Sequence, residues 1–329
     1  MDPSEVNMPP LKDLNTENIT ENTILNNSSC EDLRMKYLME RLVSHLHDFA
    51  RETRLSTSEW MSGIQFLTAV GQTCDEVRQE FILLSDILGL STLVDAIDHP
   101  KPPHTTEGTV LGPFHTHEAE EMSHGDKMSS DPDGEPLLVL CTLKDSAGRP
   151  IEGCKIDIWE TDSTGRYDVQ HADRKGPDGR CVMYSDKDGI FWFKAIKPIP
   201  YSIPYDGPVG KLLKKLRRHP YRPSHMHFMF EKPGYDNLIT ALYARGDPYE
   251  TSDAVFGVKD SLVVDITQAH REIAEKYGVK EGTLLMTYDF VLVSDEEASD
   301  LREQKSRKAL EALGRKVKFL EGLPVPDVD

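Results

Sequence analysis

The chain has 329 residues, with 38 lysines and arginines against 56 aspartates and glutamates, and a formal net charge of −18 at pH 7. This acidic balance argues against a nucleic-acid-binding protein, because phosphates require a basic surface, and no apolar stretch reaches membrane-spanning length. A chain of this size can bury a large core in one or two domains without disulfide bonds.

The cysteine pattern and the N-terminus indicate where the protein resides. The five cysteines are odd in number and show no Cys-x-x-Cys spacing. The first residues lack the basic start and the apolar run of a signal peptide. We therefore expect free thiols and a cytoplasmic protein.

The first third of the chain predicts an arm followed by helices. Residues 1–30 are polar without sustained periodicity, which predicts a flexible arm. Residues 31–105 predict a helical domain, in which Ser56 and Glu59 form a capping box. The apolar residues at helical spacing mark four helices: Met35, Leu38, Met39, Leu42, Leu46 and Phe49, then Trp60, Ile64 and Leu67, then Phe81, Leu84 and Leu88, then Leu93 and Ile97.

The rest of the chain predicts strands and a final helix. Short apolar runs separated by Gly, Pro and Asp turns predict strands at 137–143, 155–159, 190–193, 225–230, 238–243 and 284–293. Many strands without interleaved helices favour a β-sandwich over residues 106–293. Ser294 and Glu297 form a capping box that begins a helical extension over residues 294–329. The predicted fold is α+β, a helical domain followed by a mixed β-sandwich and an extra C-terminal helix.

A His-x-His pattern on a predicted strand is the first candidate for chemistry. His225 and His227 share one face of that strand, whereas Met226, Phe228 and Phe230 share the other. Two imidazoles on one face can hold one metal ion. The alternative is two unrelated histidines on a half-buried strand.

Two further His-x-His pairs show that the pattern alone is weak. His45 and His47 lie in a helical stretch, where residues two apart face away from each other. His115 and His117 lie in a Glu-rich segment that reads as a surface loop. Specificity therefore has to come from a combination of motifs.

Tyrosines in two rigid turns supply that combination. Tyr167 follows a glycine-containing turn, and Tyr201 lies in a proline-rich loop suited to presenting a ligand. The residues by themselves leave Tyr205, Tyr184 and Tyr221 open as alternatives to Tyr201.

The motifs together resemble the intradiol ring-cleavage dioxygenases. They read Thr-Gly-Arg-Tyr167, Pro-Ile-Pro-Tyr201 and Arg222-Pro-Ser-His225-Met-His227, in that order. The resemblance implies a non-heme Fe(III) site with Tyr167, Tyr201, His225 and His227 as ligands. It also implies a substrate with adjacent ring hydroxyls, cleaved between them by O2.

The resemblance extends over about residues 33–264 and implies roles beyond metal binding. Tyr201 is expected to leave the metal and accept a substrate proton. Arg222 is expected to stabilise negative charge on the substrate, and a salt bridge to an acid is its alternative role. The helices are expected to form a homodimer interface that can hold a phospholipid.

Around the expected pocket the chain resembles hydroxyquinol-type enzymes, since Leu83 and Asp86 match their substrate-contact positions, and the resemblance implies hydroxyquinol (1,2,4-trihydroxybenzene) as the ring, cleaved to maleylacetate. Asp86 could bind a third hydroxyl, although a helix-surface or capping role is the alternative. Ala241 stands where bacterial catechol enzymes have glutamine, which weakens the catechol assignment, so catechol is the second candidate. The expected wall residues are Leu83, Asp86, Val110, Leu111, Gly112, Pro113, Ile203, Pro204, Arg222 and Val255.

Two other classes of protein fit part of the sequence. A non-catalytic β-sandwich binding module predicts a colourless protein without tightly bound iron. A zinc hydrolase would use His225, His227 and an acid, but the chain has no His-Glu-x-x-His helix. The paired tyrosines also count against zinc.

Overall fold

The computed structural model describes residues 13–75, 78–173, 175–314, 316–320 and 322–326. In chain order, the elements are α1 (Ile19–Asn26), α2 (Leu33–Thr53), α3 (Thr57–Thr73), α4 (Glu80–Ile87), α5 (Leu90–Asp98), β1 (Pro136–Asp145), β2 (Lys155–Trp159), β3 (Arg180–Tyr184), β4 (Ile190–Ile196), β5 (Tyr201–Ser202), α6 (Pro208–Lys215), β6 (Tyr221–Arg222), β7 (His225–Glu231), β8 (Leu238–Ala244), β9 (Val263–Val264), β10 (Thr267–Gln268), α7 (Arg271–Tyr277), β11 (Leu284–Leu292), α8 (Asp295–Ala312), β12 (Val317–Leu320) and β13 (Leu323–Pro326).

The chain divides into two compact units, of which one comprises residues 1–67 and 303–329 and the other residues 68–302. In the first unit, the Asp32 carboxylate caps α2 by accepting the Met35 N–H at 2.9 Å. The β12–β13 hairpin contacts α2.

Both predicted capping boxes are confirmed. The Ser56 N–H donates to Glu59 at 2.9 Å at the start of α3. At the start of α8, the Ser294 N–H donates to Glu297 at 3.1 Å. The reciprocal bonds, from each glutamate's N–H to the serine hydroxyl, are also present. These short motifs therefore fix where two helices begin.

Two sequence expectations about the ends of the chain are corrected. Helix α1 forms within the predicted arm, and the Arg51 guanidinium on α2 holds it by donating to the Thr16 carbonyl (2.9 Å) and the Thr20 hydroxyl (2.6 Å). Residues 1–12 of the predicted arm lie outside the described residues. The C-terminal extension contains the β12–β13 hairpin as well as α8, because a turn at Gly322 reverses the chain.

The second unit contains the predicted mixed β-sandwich. One sheet has the strand order β10-β11-β1-β4, and the other has the order β3-β2-β7-β8-β9. Each sheet is mixed, because β1 pairs parallel with β11 and antiparallel with β4, and β8 pairs parallel with β9. A separate two-stranded ladder pairs β5 with β6 and sets Tyr201 opposite Arg222. The α+β prediction is confirmed.

The sandwich core explains which face of β7 remains for chemistry. Phe191, Phe228, Phe230 and Phe290 come from both sheets and are fully buried, with ring centroids 4.6 to 6.4 Å apart. Burying each ring contributes roughly 1.5–3 kcal/mol. Since Phe228 and Phe230 point into this core, the alternation of the strand turns His225 and His227 to the other face.

All five cysteines are free thiols, as expected. None of the described helices combines the length and apolar composition that crossing a bilayer requires.

A charged cluster ties the end of α5 to the β7–β8 turn. The Asp236 carboxylate accepts hydrogen bonds from Lys101 Nζ (2.6 Å) and His99 Nδ1 (3.1 Å). The bond to Asp236 raises the pKa of His99 above its usual 6.5. Burial opposes ionisation of Asp236, but its two cationic partners lower its pKa to about 2. The cluster therefore stabilises the fold through two titratable groups.

We predict that Asp236→Asn lowers the unfolding temperature by several degrees, since removing one partner of a partly buried pair costs about 1–3 kcal/mol. The His99 contribution is complete below pH 6.5 and is lost as pH rises through its raised pKa. The Asp236 contribution is complete above pH 3.8 and is lost as pH falls toward 2. The difference in unfolding temperature between wild type and Asp236→Asn should therefore be largest between pH 3.8 and pH 6.5.

The exposed pair of Arg245 and Asp265 provides the control, because exposed pairs contribute little. Asp265→Asn should leave the unfolding temperature nearly unchanged across the same pH range. A difference for Asp236→Asn that stays constant from pH 2.5 to pH 9 would contradict the prediction.

Candidate metal centre

Side chains from three separate segments meet on the free face of β7. Tyr167 lies in the turn after β2, Tyr201 begins β5, and His225 and His227 lie on β7. Their exposed fractions are between 1% and 5%, so all four are buried. The β-sandwich brings these side chains together, although Tyr167 and His225 are 58 residues apart along the chain.

The polar atoms of these side chains converge on one point. His225 Nε2 lies 3.0 Å from His227 Nε2 and 3.5 Å from the Tyr167 hydroxyl oxygen. The Tyr167 oxygen lies 3.5 Å from the Tyr201 oxygen. We call Tyr167, Tyr201, His225 and His227 the four-donor cluster.

The turn before Tyr167 allows the two tyrosines to approach closely. Gly165 adopts a left-handed conformation (φ 78°), and a Cβ there would lie 3.1 Å from the Cβ of Tyr201. The Gln170 side chain accepts the Tyr167 N–H at 2.8 Å, and the Phe114 ring stacks on the Tyr167 ring at 4.8 Å. Backbone and ring of Tyr167 are both fixed by these contacts.

A different contact orients each of the two histidine rings. His225 Nδ1 lies 2.7 Å from the Pro223 carbonyl oxygen, which can only accept, so the ring proton is on Nδ1 and Nε2 carries a lone pair. His227 lies opposite Trp159 in the β2–β7 ladder, and the two rings stack at 4.7 Å with an interplanar angle of 5°. Both Nε2 atoms consequently face the centre of the cluster.

Burial favours the uncharged forms of Tyr167, His225 and His227. Burial and the charge of Arg222 lower the pKa of His225 to about 3. Burial and the neighbouring His225 lower the pKa of His227 well below its usual range. Burial and the adjacent Tyr201 raise the pKa of Tyr167. The imidazoles are thus unprotonated donors at neutral pH, and Tyr167 remains a phenol unless a cation stabilises its phenolate.

These properties fit a metal ion. Metal–nitrogen bonds of about 2.0–2.1 Å place neighbouring ligand atoms about 3 Å apart, which is close to the spacing of the four-donor cluster. His227 Nδ1 is buried and lacks a hydrogen-bond partner within the described part of the chain. Two hard phenolate oxygens would suit a trivalent cation. Within the same part of the chain, no metal site is formed by three or more His, Cys, Asp or Glu residues.

Arg222 is buried beside the cluster, with 2% of its surface exposed. Its Nη1 donates to His225 Nε2 (3.1 Å), and its Nη2 donates to the Tyr243 hydroxyl (3.0 Å). Its Nε also forms a buried ion pair with Asp253 (3.2 Å). The salt bridge considered as the alternative role is therefore present, while the role of Arg222 toward the substrate stays a prediction.

The alternative tyrosines and histidines lie elsewhere. The exposed fractions of Tyr184, Tyr205 and Tyr221 are between 39% and 46%, so the structure separates them from the buried pair. His45 contacts Arg41 at 3.2 Å, and His47 contacts Thr20 at 3.0 Å.

His115 differs from the expectation of a solvated loop residue. Its Nε2 pairs with the buried Asp157 carboxylate at 3.1 Å, and its ring meets the edge of Trp159 at 4.8 Å. It therefore supports the tryptophan that stacks on His227.

The structure places the predicted wall residues in several settings. Leu83, Pro113 and Pro204 line one apolar cavity of about 110 Å³. A Cβ on Gly112 would lie 3.8 Å from the His227 ring, so Gly112 packs directly against that histidine. The remaining apolar wall residues have exposed fractions of 5% for Val110, 36% for Leu111, 4% for Ile203 and 2% for Val255.

Asp86 is a buried acid on α4 rather than a surface or capping residue, with 4% of its surface exposed. Burial raises its pKa, while a hydrogen bond from Ser91 and the charge of Arg222 act in the opposite direction. This carboxyl lies within the electrostatic influence of both Arg222 and Asp253. Its predicted contact with the substrate stays a prediction.

Sequence reasoning missed the residues that support the predicted ones. Asp253 and Tyr243 bind Arg222, Trp159 fixes His227, and Gly257 leaves room for the guanidinium. A Cβ on Gly257 would lie 2.7 Å from the Tyr243 oxygen and 2.8 Å from Arg222 Nη2. One signal was available, because a buried arginine requires a counter-ion.

Comparisons with known proteins agree with this geometry. The family model described as "Dioxygenase" matches residues 110–294, and the model described as "Catechol dioxygenase N terminus" matches residues 32–106. The intradiol ring-cleavage dioxygenase hqdA of Aspergillus niger is 72% identical over 329 residues, the full length of both chains.

Two bacterial proteins are also similar to this chain. The 6-chlorohydroxyquinol 1,2-dioxygenase of Cupriavidus pinatubonensis is 44% identical, over 86% of this chain and 99% of its own. The structure of hydroxyquinol 1,2-dioxygenase from Pseudomonas putida superposes with a TM-score of 0.80 and 42% identity. That match covers 85% of this chain and 99% of the other.

Proposed function

Because this chain belongs to the intradiol ring-cleavage dioxygenase family, we propose that it opens hydroxyquinol with O2 to give maleylacetate. The observation that carries the proposal is the burial of two phenols and two imidazoles around one point, beside a buried guanidinium. The names of the similar bacterial enzymes support a triol as substrate. Cleavage of catechol to cis,cis-muconate is the alternative reaction.

The family uses non-heme iron, and the four-donor cluster would hold it as Fe(III). When bound, Fe(III) supplies Lewis-acid activation of the ring diol toward O2. The His225 proton stays on Nδ1, which donates it in a hydrogen bond to the Pro223 carbonyl, so Nε2 remains the donor atom for the metal. The Trp159 stack holds the His227 ring in one plane.

Tyr201 and Arg222 are the residues we propose to act on the substrate. With a cation in the cluster, Tyr201 would be a phenolate, and its oxygen would accept a proton from a substrate hydroxyl, which leaves Tyr201 as a phenol and the ring diol as an anion and better nucleophile. The Arg222 guanidinium stabilises the negative charge that this proton transfer leaves on the ring oxygens. A fixed, buried cation does this without reorganisation, and it is stronger there than in water. The two residues face each other in the β5–β6 ladder.

Asp86 supplies the preference for a third hydroxyl in this proposal. Ser91 occupies part of the hydrogen-bonding capacity of this carboxyl, and a third ring hydroxyl would bind the rest, so a ring without that hydroxyl gains one hydrogen bond fewer. The apolar walls at Leu83, Pro113 and Pro204 hold the ring carbons. Both oxygen atoms of O2 enter the product as the ring opens.

The exposed apolar face of α2 supports a homodimer with a second copy of this chain. Met35, Leu38, Leu42, Leu46 and Phe49 recur every three or four residues, and their exposed fractions are between 45% and 56%. A continuous apolar stripe of this kind is typical of helix–helix interfaces. The same face could hold the tails of a phospholipid between two copies.

The first prediction from the proposed function concerns the colour and the metal content of the protein. Purified protein loaded with Fe(III) should show a red-brown tyrosinate-to-iron absorption band that shifts when hydroxyquinol is added anaerobically. Tyr201→Phe and His225→Ala should lower iron affinity by more than the about 10–100-fold that follows loss of a residue supporting a ligand, because each removes a donor itself. Iron content and visible spectra test this.

Tyr205→Phe is the matched control, since Tyr205 lies on the same loop as Tyr201 but is 46% exposed. It should keep the iron content and the absorption band. A colourless protein that binds no iron would favour the binding-module class, and bound zinc without visible absorption would favour a hydrolase.

The second prediction concerns the ring. Asp86→Leu should lower kcat/KM for hydroxyquinol relative to catechol by roughly 10–100-fold, because it removes the partner of the third hydroxyl. Steady-state rates of oxygen consumption with each ring measure the ratio. Asp98→Asn, an exposed acid on α5, should leave the ratio unchanged. An unchanged ratio in Asp86→Leu would show that Asp86 does not select the ring.

The third prediction concerns assembly. Wild-type protein should sediment as a dimer at micromolar concentration, and Leu42→Asp with Leu46→Asp should convert it to a monomer because charges enter an apolar interface. Asp48→Asn, on the polar side of α2, should remain a dimer. Wild-type protein that sediments as a monomer would contradict the dimer, and mass spectrometry of an organic extract tests for the lipid.

A further inference from the structure

The turn formed by residues 253–257 joins the substrate wall to the buried arginine. Val255, an expected wall residue, is 2% exposed, whereas the next residue, Phe256, is 51% exposed. Phe256 adopts a left-handed conformation (φ 58°), and its N–H donates to the Asp253 carbonyl at 3.2 Å. The turn therefore reverses sharply, directing Val255 inward and Phe256 outward.

One carboxylate closes this turn and binds the arginine at the same time. Asp253 Oδ1 accepts the Val255 N–H (3.2 Å) and Arg222 Nε (3.2 Å). Asp253 Oδ2 accepts the Gly257 N–H (2.9 Å) and Arg222 Nη2 (3.4 Å). Two of the four bonds set the backbone on either side of Phe256, and the other two orient the guanidinium.

Arg218 holds the same turn from the opposite side. Its guanidinium donates to the Ala254 carbonyl (2.8 Å) and to the Ile87 carbonyl at the end of α4 (2.6 Å). It also lies 4.9 Å from the centre of the Phe256 ring. Because α4 carries Leu83 and Asp86, Arg218 connects two walls of the pocket without touching Arg222 through any of these bonds.

Core packing does not support the outer side of the turn. A cleft of about 560 Å³ lies there, and Ala254 and Phe256 are among the residues that line it together with Arg218. A turn bordered by such a cleft is positioned by its hydrogen bonds. Besides the bonds of Asp253 and Arg218, the Ala254 N–H donates to the Tyr221 carbonyl (3.1 Å), and the hydroxyls of Thr92 and Thr109 donate to the Val255 (3.4 Å) and Gly257 (2.7 Å) carbonyls. Among these side chains, Asp253 also binds Arg222.

We propose that Asp253 is a positioning residue that both orients the Arg222 guanidinium and fixes the position of Val255 in the substrate wall. A substitution of Asp253 therefore changes kcat and the preference between hydroxyquinol and catechol together. Arg218 positions the wall alone. The inference deepens the proposed function and depends on it for the catalytic readout. The proposal therefore predicts different kinetic effects for substitutions of Asp253 and of Arg218, although both side chains bind the same turn.

The experiment compares three variants of the iron-loaded protein with hydroxyquinol and with catechol. Asp253→Asn should lower kcat by about 10–100-fold, because a misdirected cation no longer stabilises the developing charge. It should also change the hydroxyquinol-to-catechol ratio of kcat/KM by about threefold or more. Arg218→Met, which keeps the aliphatic stem against Phe256, should raise KM and change the ratio while kcat stays within about twofold.

Asp236→Asn is the matched control, because Asp236 is also a buried acid in an ion pair, with Lys101, but lies at the β7–β8 turn. It should lower the unfolding temperature and leave both kcat and the ring ratio unchanged. Kinetic effects of Asp253→Asn that match those of Asp236→Asn would overturn the proposal, since they would show a structural role only.

A second readout uses the metal-free protein. Asp253→Asn should lower the unfolding temperature, since it leaves the buried Arg222 charge unpaired, and the double variant Asp253→Asn with Arg222→Met should unfold at a higher temperature than this single variant. Additive losses in the double variant would overturn the pairing. If Asp253→Asn does not fold, Asp253→Glu keeps the charge and should still change the ring ratio.

The two proposals can fail separately. Wild-type protein that binds iron but opens neither ring would overturn the proposed function, while the metal-free double-variant comparison would still test the Asp253–Arg222 pair. Wild-type protein that cleaves a ring, together with an Asp253→Asn variant that keeps wild-type kcat and ring ratio, would overturn this inference alone.

Discussion

The buried guanidinium of Arg222 is the interaction on which the rest of the site depends. A cation with 2% exposure is tolerated only if its hydrogen bonds and its charge are satisfied. Asp253, in the turn before Val255, and Tyr243, on β8, provide partners that do not depend on the metal. Arg222 thus connects the β5–β6 ladder with β8 and with the turn around Val255.

The same requirement explains the electrostatic state of the four-donor cluster. The positive charge of Arg222 and deep burial keep His225 unprotonated, and Asp253 balances that charge. Although burial opposes the ionised form of Asp253, the charge and hydrogen bonds of Arg222 lower its pKa below 3.8. The two imidazoles are therefore uncharged and offer lone pairs to a cation, whose charge would in turn stabilise phenolates.

Positioning comes from the sandwich rather than from flexible loops. The phenylalanines of β7 fill the core, so the alternating histidines have one direction available to them. Pairing with β2 then sets Trp159 against His227, and the short β5–β6 ladder sets Tyr201 against Arg222. Strand register, once fixed by the core, places donors from distant segments within about 3–4 Å of each other.

The sequence by itself determined the properties that depend on neighbouring residues. The capping boxes at Ser56 and Ser294, the alternation of β7 and most strand positions follow from local patterns, because helix ends and strand faces are decided over a few residues. The resemblance carried by the tyrosine and His-x-His motifs also indicated the family, which the comparisons confirm.

Only the tertiary structure decided which side chains share one site and what supports them. Asp253 and Trp159 carry no local signal, because their roles arise from contacts made across the chain. The separation of the buried Tyr201 from the exposed Tyr205, four residues later, also depends on packing. Helix α1 and the β12–β13 hairpin escaped prediction because they are stabilised by contacts to α2 rather than by strong local periodicity. The physical reason is the same in each case, since burial and pairing are properties of the folded chain and not of a short segment.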